Sequence, residues 1–183
     1  MKNIILIGYR CSGKTSVGRR LADKLKAPFY DTDQMIIDRM GKTIKQWAEE
    51  NGWESFRQEE KAVIRKISSL DCGVIALGGG AVMDPENREI LRQKGLIIWL
   101  NADIQTIMER MKADPQNQDN RPALSTKDWE TEIKEVLTQR SPVYRRLADF
   151  SIETDGKTVK TIAEELNSRI RIKGFEGTIK KPV

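Results

Sequence analysis

Apolar positions along this chain follow two rhythms. Unbroken apolar runs recur at Ile4-Ile5-Leu6-Ile7, Phe29-Tyr30, Val74-Ile75-Ala76-Leu77 and Leu96–Leu100, with a fifth strand-like stretch at Phe150–Glu153. Runs that are continuous rather than alternating mark strands covered on both faces, as in a parallel sheet. Between them the apolar residues fall at helical spacing. Val17, Leu21 and Ala22 predict a helix from Lys14 to about Lys26, stopped by Ala27-Pro28. Met35, Ile36, Ile37 and Met40 predict a second, capped by Asp33 or Thr32 and ended by Gly41. Thr43 opens a third over Ile44–Asn51, closed by Gly52, and a longer one follows from Trp53 to Leu70. Asp84-Pro85-Glu86 starts a helix that Gly95 ends, and Asp103 caps one reaching about Met111. A helix from Lys127 to about Ala148 is interrupted near Pro142, and the last spans Thr158–Ile170. Strands alternating with helices predict an α/β fold: a three-layer sandwich whose five-stranded parallel sheet carries helices on both faces.

One junction in this pattern carries chemistry. Gly8-Tyr9-Arg10-Cys11-Ser12-Gly13-Lys14-Thr15 joins the first strand to the first helix with the phosphate-loop spacing G-x-x-x-x-G-K-[ST]. Gly8 and Gly13 let the backbone curl so that N–H groups of Cys11, Ser12, Gly13, Lys14, Thr15 and Ser16 can face phosphate oxygens. The helix start adds its positive dipole end. Lys14 can reach the β- and γ-phosphates, and the Thr15 hydroxyl can serve Mg²⁺. The stretch predicts a bound nucleoside triphosphate.

Charge narrows what lies beside it. The chain has 183 residues, 32 basic and 27 acidic, for a net +5 and an isoelectric point near 9.2. Nucleic acid or a pocket for small anions would each account for the excess. The basic residues are scattered, which favours the pocket. Two cysteines, Cys11 and Cys72, form neither a disulfide framework nor a zinc spacing. The chain enters its first strand without a signal-like segment, and no apolar run approaches the ~20 residues of a membrane span. A cytoplasmic protein is expected. There is no histidine, so a proton acceptor near neutral pH must be a carboxylate, lysine, tyrosine or cysteine. One domain over residues 1–170 is expected, and 171–183 reads as an appended tail without assigned function.

The acceptor of a phosphoryl group should lie at the strand ends, where open α/β sheets bind ligands. Asp31 and Asp33 are two apart at the end of the second strand, so on an extended backbone they start on one side. Such a pair can divide two tasks, holding Mg²⁺ through water and accepting a hydroxyl proton. Gly78-Gly79-Gly80 ends the third strand and permits close approach to backbone N–H donors. Arg57 has Glu60 at i+3, which by itself reads as a surface ion pair. Among Arg140, Arg145 and Arg146 one could turn inward to clamp a carboxylate. Arg121, in the long polar stretch 112–125, could close over the transferred group.

In this order and spacing the set resembles the shikimate kinase family. The likeness spans about Asn3 to Ile170 and rests on Gly8–Thr15, Asp31-Thr32-Asp33, Phe56-Arg57 with Glu60, Gly78-Gly79-Gly80, and Arg121-Pro122 followed by Arg140-Ser141-Pro142-Val143-Tyr144-Arg145. The resemblance implies a nucleoside monophosphate kinase-like P-loop fold, with substrate-binding helices at about 33–62 and a lid at about 112–125. It implies transfer of the ATP γ-phosphate to the 3-hydroxyl of shikimate, with Mg²⁺ as cofactor. The implied partners are shikimate and ATP, with no nucleic acid and no membrane, and a monomer is expected.

By position, Asp33 would bind the ring hydroxyls and act as base. Arg57 and Arg140 would hold the carboxylate, and Gly79, between Gly78 and Gly80, would seat the ring. Thr15 and Asp31 would serve the metal. Arg121 would be the lid arginine, Arg110 would lie against the adenine, and Lys157 would fall in the adenine-side loop. Cys11 stands where the family's loop usually has glycine. Its alkylation is expected to block ATP binding and ATP to protect it, while an inert loop cysteine is the alternative. Another small-molecule kinase, for gluconate or a nucleoside monophosphate, and a nucleotide-dependent binding module are the competing readings.

Overall fold

The computed structural model describes residues 3–114 and 129–172. β1 (Asn3–Ile7) is the central strand, and every one of its residues is buried. It pairs in parallel with β3 (Val74–Ala76) on one side and β4 (Gly95–Asn101) on the other. β2 (Phe29–Asp31) pairs with β3, and β5 (Phe150–Glu153) with β4. The sheet order is β2-β3-β1-β4-β5, all parallel.

Alternate side chains of β1 feed two cores. Ile5 and Ile7 join one, which includes Ile36, Phe56, Ile64, Leu91 and Tyr144. Ile4 and Leu6 join the other, with Val17, Leu21, Ile162 and Leu166. The first core is covered by α2 (Thr32–Met40), α3 (Ile44–Ile67), α4 (Pro85–Lys94) and α6 (Trp129–Leu147). The second is covered by α1 (Lys14–Leu25) and α7 (Val159–Ile172). α5 (Ile104–Ala113) supplies Ile107 and Met111 to a third cluster, with Tyr9, Ala102 and Ile133, at the strand ends. This is the expected three-layer sandwich. Each fully buried aliphatic side chain contributes about 1.5–3 kcal/mol of transfer free energy.

Several local expectations change. The cap of α2 is Asp31, whose carboxylate accepts from the Asp33 and Gln34 N–H groups. Thr32 and Asp33 already lie inside the helix, so Asp31 and Asp33 do not share one extended backbone. Thr32 instead accepts from the Gly78 N–H at 2.9 Å. The two helices anticipated around Gly52 do meet there, joined end to end within α3. Gly52 breaks its geometry with φ 79° and ψ 161°. Its start carries the capping box between Thr43 and Gln46. α6 runs through Pro142 as one element. Asn120, Arg121, Pro122 and residues 115–125 of the proposed lid lie outside the described residues, as do 173–183 of the tail.

Candidate active site

α1 begins differently from its neighbours. Side chains cap α2, α3, α4 and α5 through Asp31, Thr43, Asp84 and Asp103. α1 has Gly13 at its N-cap with φ 96°, no side-chain cap and no acid in its first turn. Its first residues, Lys14, Thr15 and Ser16, line the cleft above the loop. Such a terminus favours an anion. Gly8, at φ 143°, is required by contact: a Cβ there would lie 2.5 Å from the Leu100 carbonyl oxygen. Lys14 folds over the loop and donates from Nζ to the Gly8 and Tyr9 carbonyls at 2.9 and 2.6 Å. Thr15 donates from its hydroxyl to Asp31 Oδ2 at 2.7 Å.

Two other loop residues behave in their own ways. Ser12 is buried rather than lining the cleft: its N–H reaches back to the Tyr9 carbonyl at 3.3 Å, and its Oγ tucks beneath Gly8. Cys11 adopts φ 57°, the left-handed region that glycine enters without cost.

A cleft of about 550 Å³ opens over this loop. Gly13, Lys14, Thr15 and Ser16 line it, with Asp31 and Asp33 at one end. Arg110, Lys157, Val159 and Ile162 line the other. Arg110 is fastened there: it donates to the Cys11 carbonyl at 3.2 Å and to the Thr154 carbonyl at 2.8 Å. Lys157 pairs with Glu165 at 2.8 Å.

A second cavity, about 70 Å³, adjoins the first and shares Asp33 and Arg10 with it. Here the triple-glycine turn acts as a floor, Gly78 and Gly80 making room for the side chains above them. A Cβ on Gly78 would come within 2.6 Å of Asp33 Oδ1. One on Gly80 would come within 2.7 Å of the Arg57 guanidinium, and one on Gly79 within 3.7 Å of Arg140 Nη1. Gly79 also abuts the phosphate loop at the Gly8 carbonyl and the Arg10 amide. Arg57 and Arg140, 83 residues apart in sequence, thus meet over one turn, while Arg145 and Arg146 are exposed.

Glu60 is buried beneath Arg57 and accepts from its Nη1 at 2.6 Å. Burial pushes the Glu60 carboxyl above the usual carboxylate range, and the Arg57 charge opposes that rise. Trp53 and Phe56 flank the same guanidinium at 6.0 and 5.2 Å from their ring centroids. Arg10 turns away from the loop to pair with the buried Glu132 of α6.

The shikimate kinase family model matches residues 10–171. The chain belongs to the shikimate kinase family. It is 41% identical over 182 residues to the shikimate kinase of Syntrophus aciditrophicus (strain SB), with 95% of this chain and 93% of that protein aligned. It is 40% identical over 166 residues to that of Legionella pneumophila (strain Corby), covering 91% and 93%. Among solved structures, the Acinetobacter baumannii shikimate kinase in complex with shikimate superposes with a TM-score of 0.88 at 33% identity, over 94% of each chain. As a shikimate kinase, this chain is an ATP-dependent phosphotransferase, and the fold and family expectations hold.

Some parts of this shikimate kinase site were not singled out in the sequence. Tyr9, Arg10 and Trp53 line the second cavity, and Glu132 reaches it through Arg10. Tyr144 reaches it through Gly79. The one signal available was spacing: Glu132, Arg140 and Tyr144 recur at four- or eight-residue steps, on one stripe of a helix.

Proposed function

We propose that this chain transfers the γ-phosphoryl group of ATP to the 3-hydroxyl of shikimate, giving shikimate 3-phosphate and ADP. The observation carrying this reading is the convergence of Arg57, Arg140 and Asp33 on the triple-glycine floor, which abuts the phosphate loop at the Gly8 carbonyl. Shikimate presents one carboxylate and three hydroxyls. Two guanidinium groups suit the carboxylate as bidentate donors, and Asp33 suits a hydroxyl. Seated this way, the acceptor lies against the phosphate loop.

In this reading the uncapped start of α1 and Lys14 hold the β- and γ-phosphates. The acceptor oxygen attacks the γ-phosphorus while the bond to the β–γ bridging oxygen breaks, and Asp33 takes the hydroxyl proton. Phosphoryl transfer depends mainly on positioning and charge, which suits a chain without histidine. Thr15 and Asp31 present hard oxygen donors at the mouth of the loop. Among the described residues no cluster of three or more His, Cys, Asp or Glu side chains could hold a metal by itself. So small a protein donor set fits Mg²⁺, which keeps waters and phosphate oxygens as ligands. When bound there it would neutralise charge on the β- and γ-oxygens.

Arg121 is proposed from its sequence position as the lid arginine. Residues 1–170 are proposed as one kinase domain, with acceptor helices at 33–62, a lid at 112–125 and a separate tail. A cytoplasmic monomer completes the reading. In its support, no helix among the described residues is long and apolar enough to cross a membrane. The exposed large apolar side chains among them are Trp53 on α3 and Val159 and Ile172 on α7.

The test is ADP release by purified protein with ATP, Mg²⁺ and, separately, shikimate, gluconate and nucleoside monophosphates. Turnover with shikimate is expected. Turnover confined to the other acceptors would end this reading, as would ATP binding without any acceptor-dependent turnover.

A further inference from the structure

α6 brings Arg140 to the acceptor cavity and, one turn later, brings Tyr144 beneath its floor. Tyr144 is fully buried, with its ring 5.9 Å from that of Trp99 on β4. Its hydroxyl donates to the Gly79 carbonyl at 2.5 Å. The Arg140 guanidinium lies beside that same hydroxyl and opposes the effect of burial on it. Burial prevails and pushes the phenol up to about 12, so it keeps its hydrogen across any ordinary assay range. A phenol donates once and can also accept. With its hydrogen committed to Gly79, the lone pairs are left for the arginine.

The Gly79 carbonyl shares a planar peptide with the Gly80 N–H, and in a trans peptide the two point oppositely. Drawing the oxygen toward α6 therefore turns the Gly80 N–H away from that helix. A core role for Tyr144 would need only its ring, which phenylalanine also provides. The polar tip is what touches the floor and the arginine.

Resting on the function proposed above, we infer that Tyr144 is a positioning residue for the acceptor. Its hydroxyl locks the glycine floor and the Arg140 guanidinium into one fixed relation.

The experiment compares steady-state kinetics and thermal midpoints of the full chain with those of Tyr144→Phe and Leu147→Ala. Leu147 lies on the same helix, buried in the core and outside the lining of the acceptor cavity, so its truncation loosens α6 without removing the hydroxyl. For Tyr144→Phe the KM for shikimate is expected to rise roughly tenfold or more, the scale of losing a hydrogen bond tied to a charged group. The KM for ATP should stay near that of the parent, and the melting midpoint should fall less than in Leu147→Ala.

Leu147→Ala should lower the midpoint without that selective change in KM. An unchanged shikimate KM in Tyr144→Phe would overturn the inference. So would a parallel rise in both KM values, or the same selective rise in Leu147→Ala. A parent chain without shikimate turnover would instead defeat the function on which the inference rests.

Discussion

At the residue scale, Asp33 and Lys14 can be separated by experiment because they serve different partners. Asp33 lies where the two cavities meet, and Lys14 lies over the phosphate loop. Asp33→Asn keeps the shape but removes the proposed proton acceptor, so turnover should fall by at least 100-fold, the scale of positioned acid–base catalysis. Its ATP affinity, measured by titration calorimetry, should change little. Lys14→Ala should lose both turnover and ATP affinity; equal loss of ATP binding in the two variants would place Asp33 at the wrong site.

Glu60 offers a test by pH. Burial shifts the ionisation of its carboxyl in the folded chain to higher pH. The folded chain therefore holds that proton more tightly than the unfolded chain does. The resulting stabilisation is present at low pH and is lost as pH rises from the ordinary carboxylate range through the raised value. Glu60→Gln cannot ionise. Its unfolding free energy relative to the parent should climb in urea melts as pH rises above the ordinary carboxylate range. A flat difference would show that Arg57 cancels the burial effect.

At the element scale, the break at Gly52 is argued from conformation alone. Its φ of 79° with ψ of 161° is territory for glycine, yet nothing lies within 4 Å of an added Cβ. Gly52→Ala should therefore cost about 1–3 kcal/mol through backbone strain rather than collision, read from urea denaturation. An undiminished stability would mean that the kink relaxes without consequence. The neighbouring capping box is intact, so the loss can be assigned to this position.

Elements also show what could be read in advance. The strands announced themselves because a buried parallel strand is apolar on both faces, and glycines or capping acids bounded most helices. Phe150–Glu153 matched its expected bounds outright. The Asp31–Asp33 relation did not, because the strand ends at Asp31 and the helix starts at Thr32. A carboxylate that caps the following turn can equally be read as the end of a strand. The inward turn of Arg140 was open for a different reason: three arginines share that stretch, and only tertiary packing decides which faces the floor. The roles of Glu132 and Tyr144 were hidden because their partners, Arg10 and Gly79, are distant in sequence.

For the molecule as a whole, nucleotide binding should register as stability. A ligand that binds only the folded chain at a hundred times its Kd adds about 2.7 kcal/mol. In a domain of this size that raises the melting midpoint by roughly 5–10 °C. ATP with Mg²⁺ should produce this shift in the parent chain and little of it in Lys14→Ala. A parent chain whose midpoint ignores nucleotide would contradict the assignment of the large cleft.

The order of the sheet has one more effect. The phosphate loop continues β1 and the glycine floor continues β3, and these strands are bonded neighbours up to the Leu77 N–H and Leu6 carbonyl at 3.0 Å. Adjacent strands keep a separation of about 4.8 Å whatever side chains they carry. On the proposed seating of the acceptor, the span a phosphoryl group must cross is thus inherited from main-chain geometry. Substitutions on α2, α3 or α6 could retune which alcohol is welcomed, while the length of the jump stays the same.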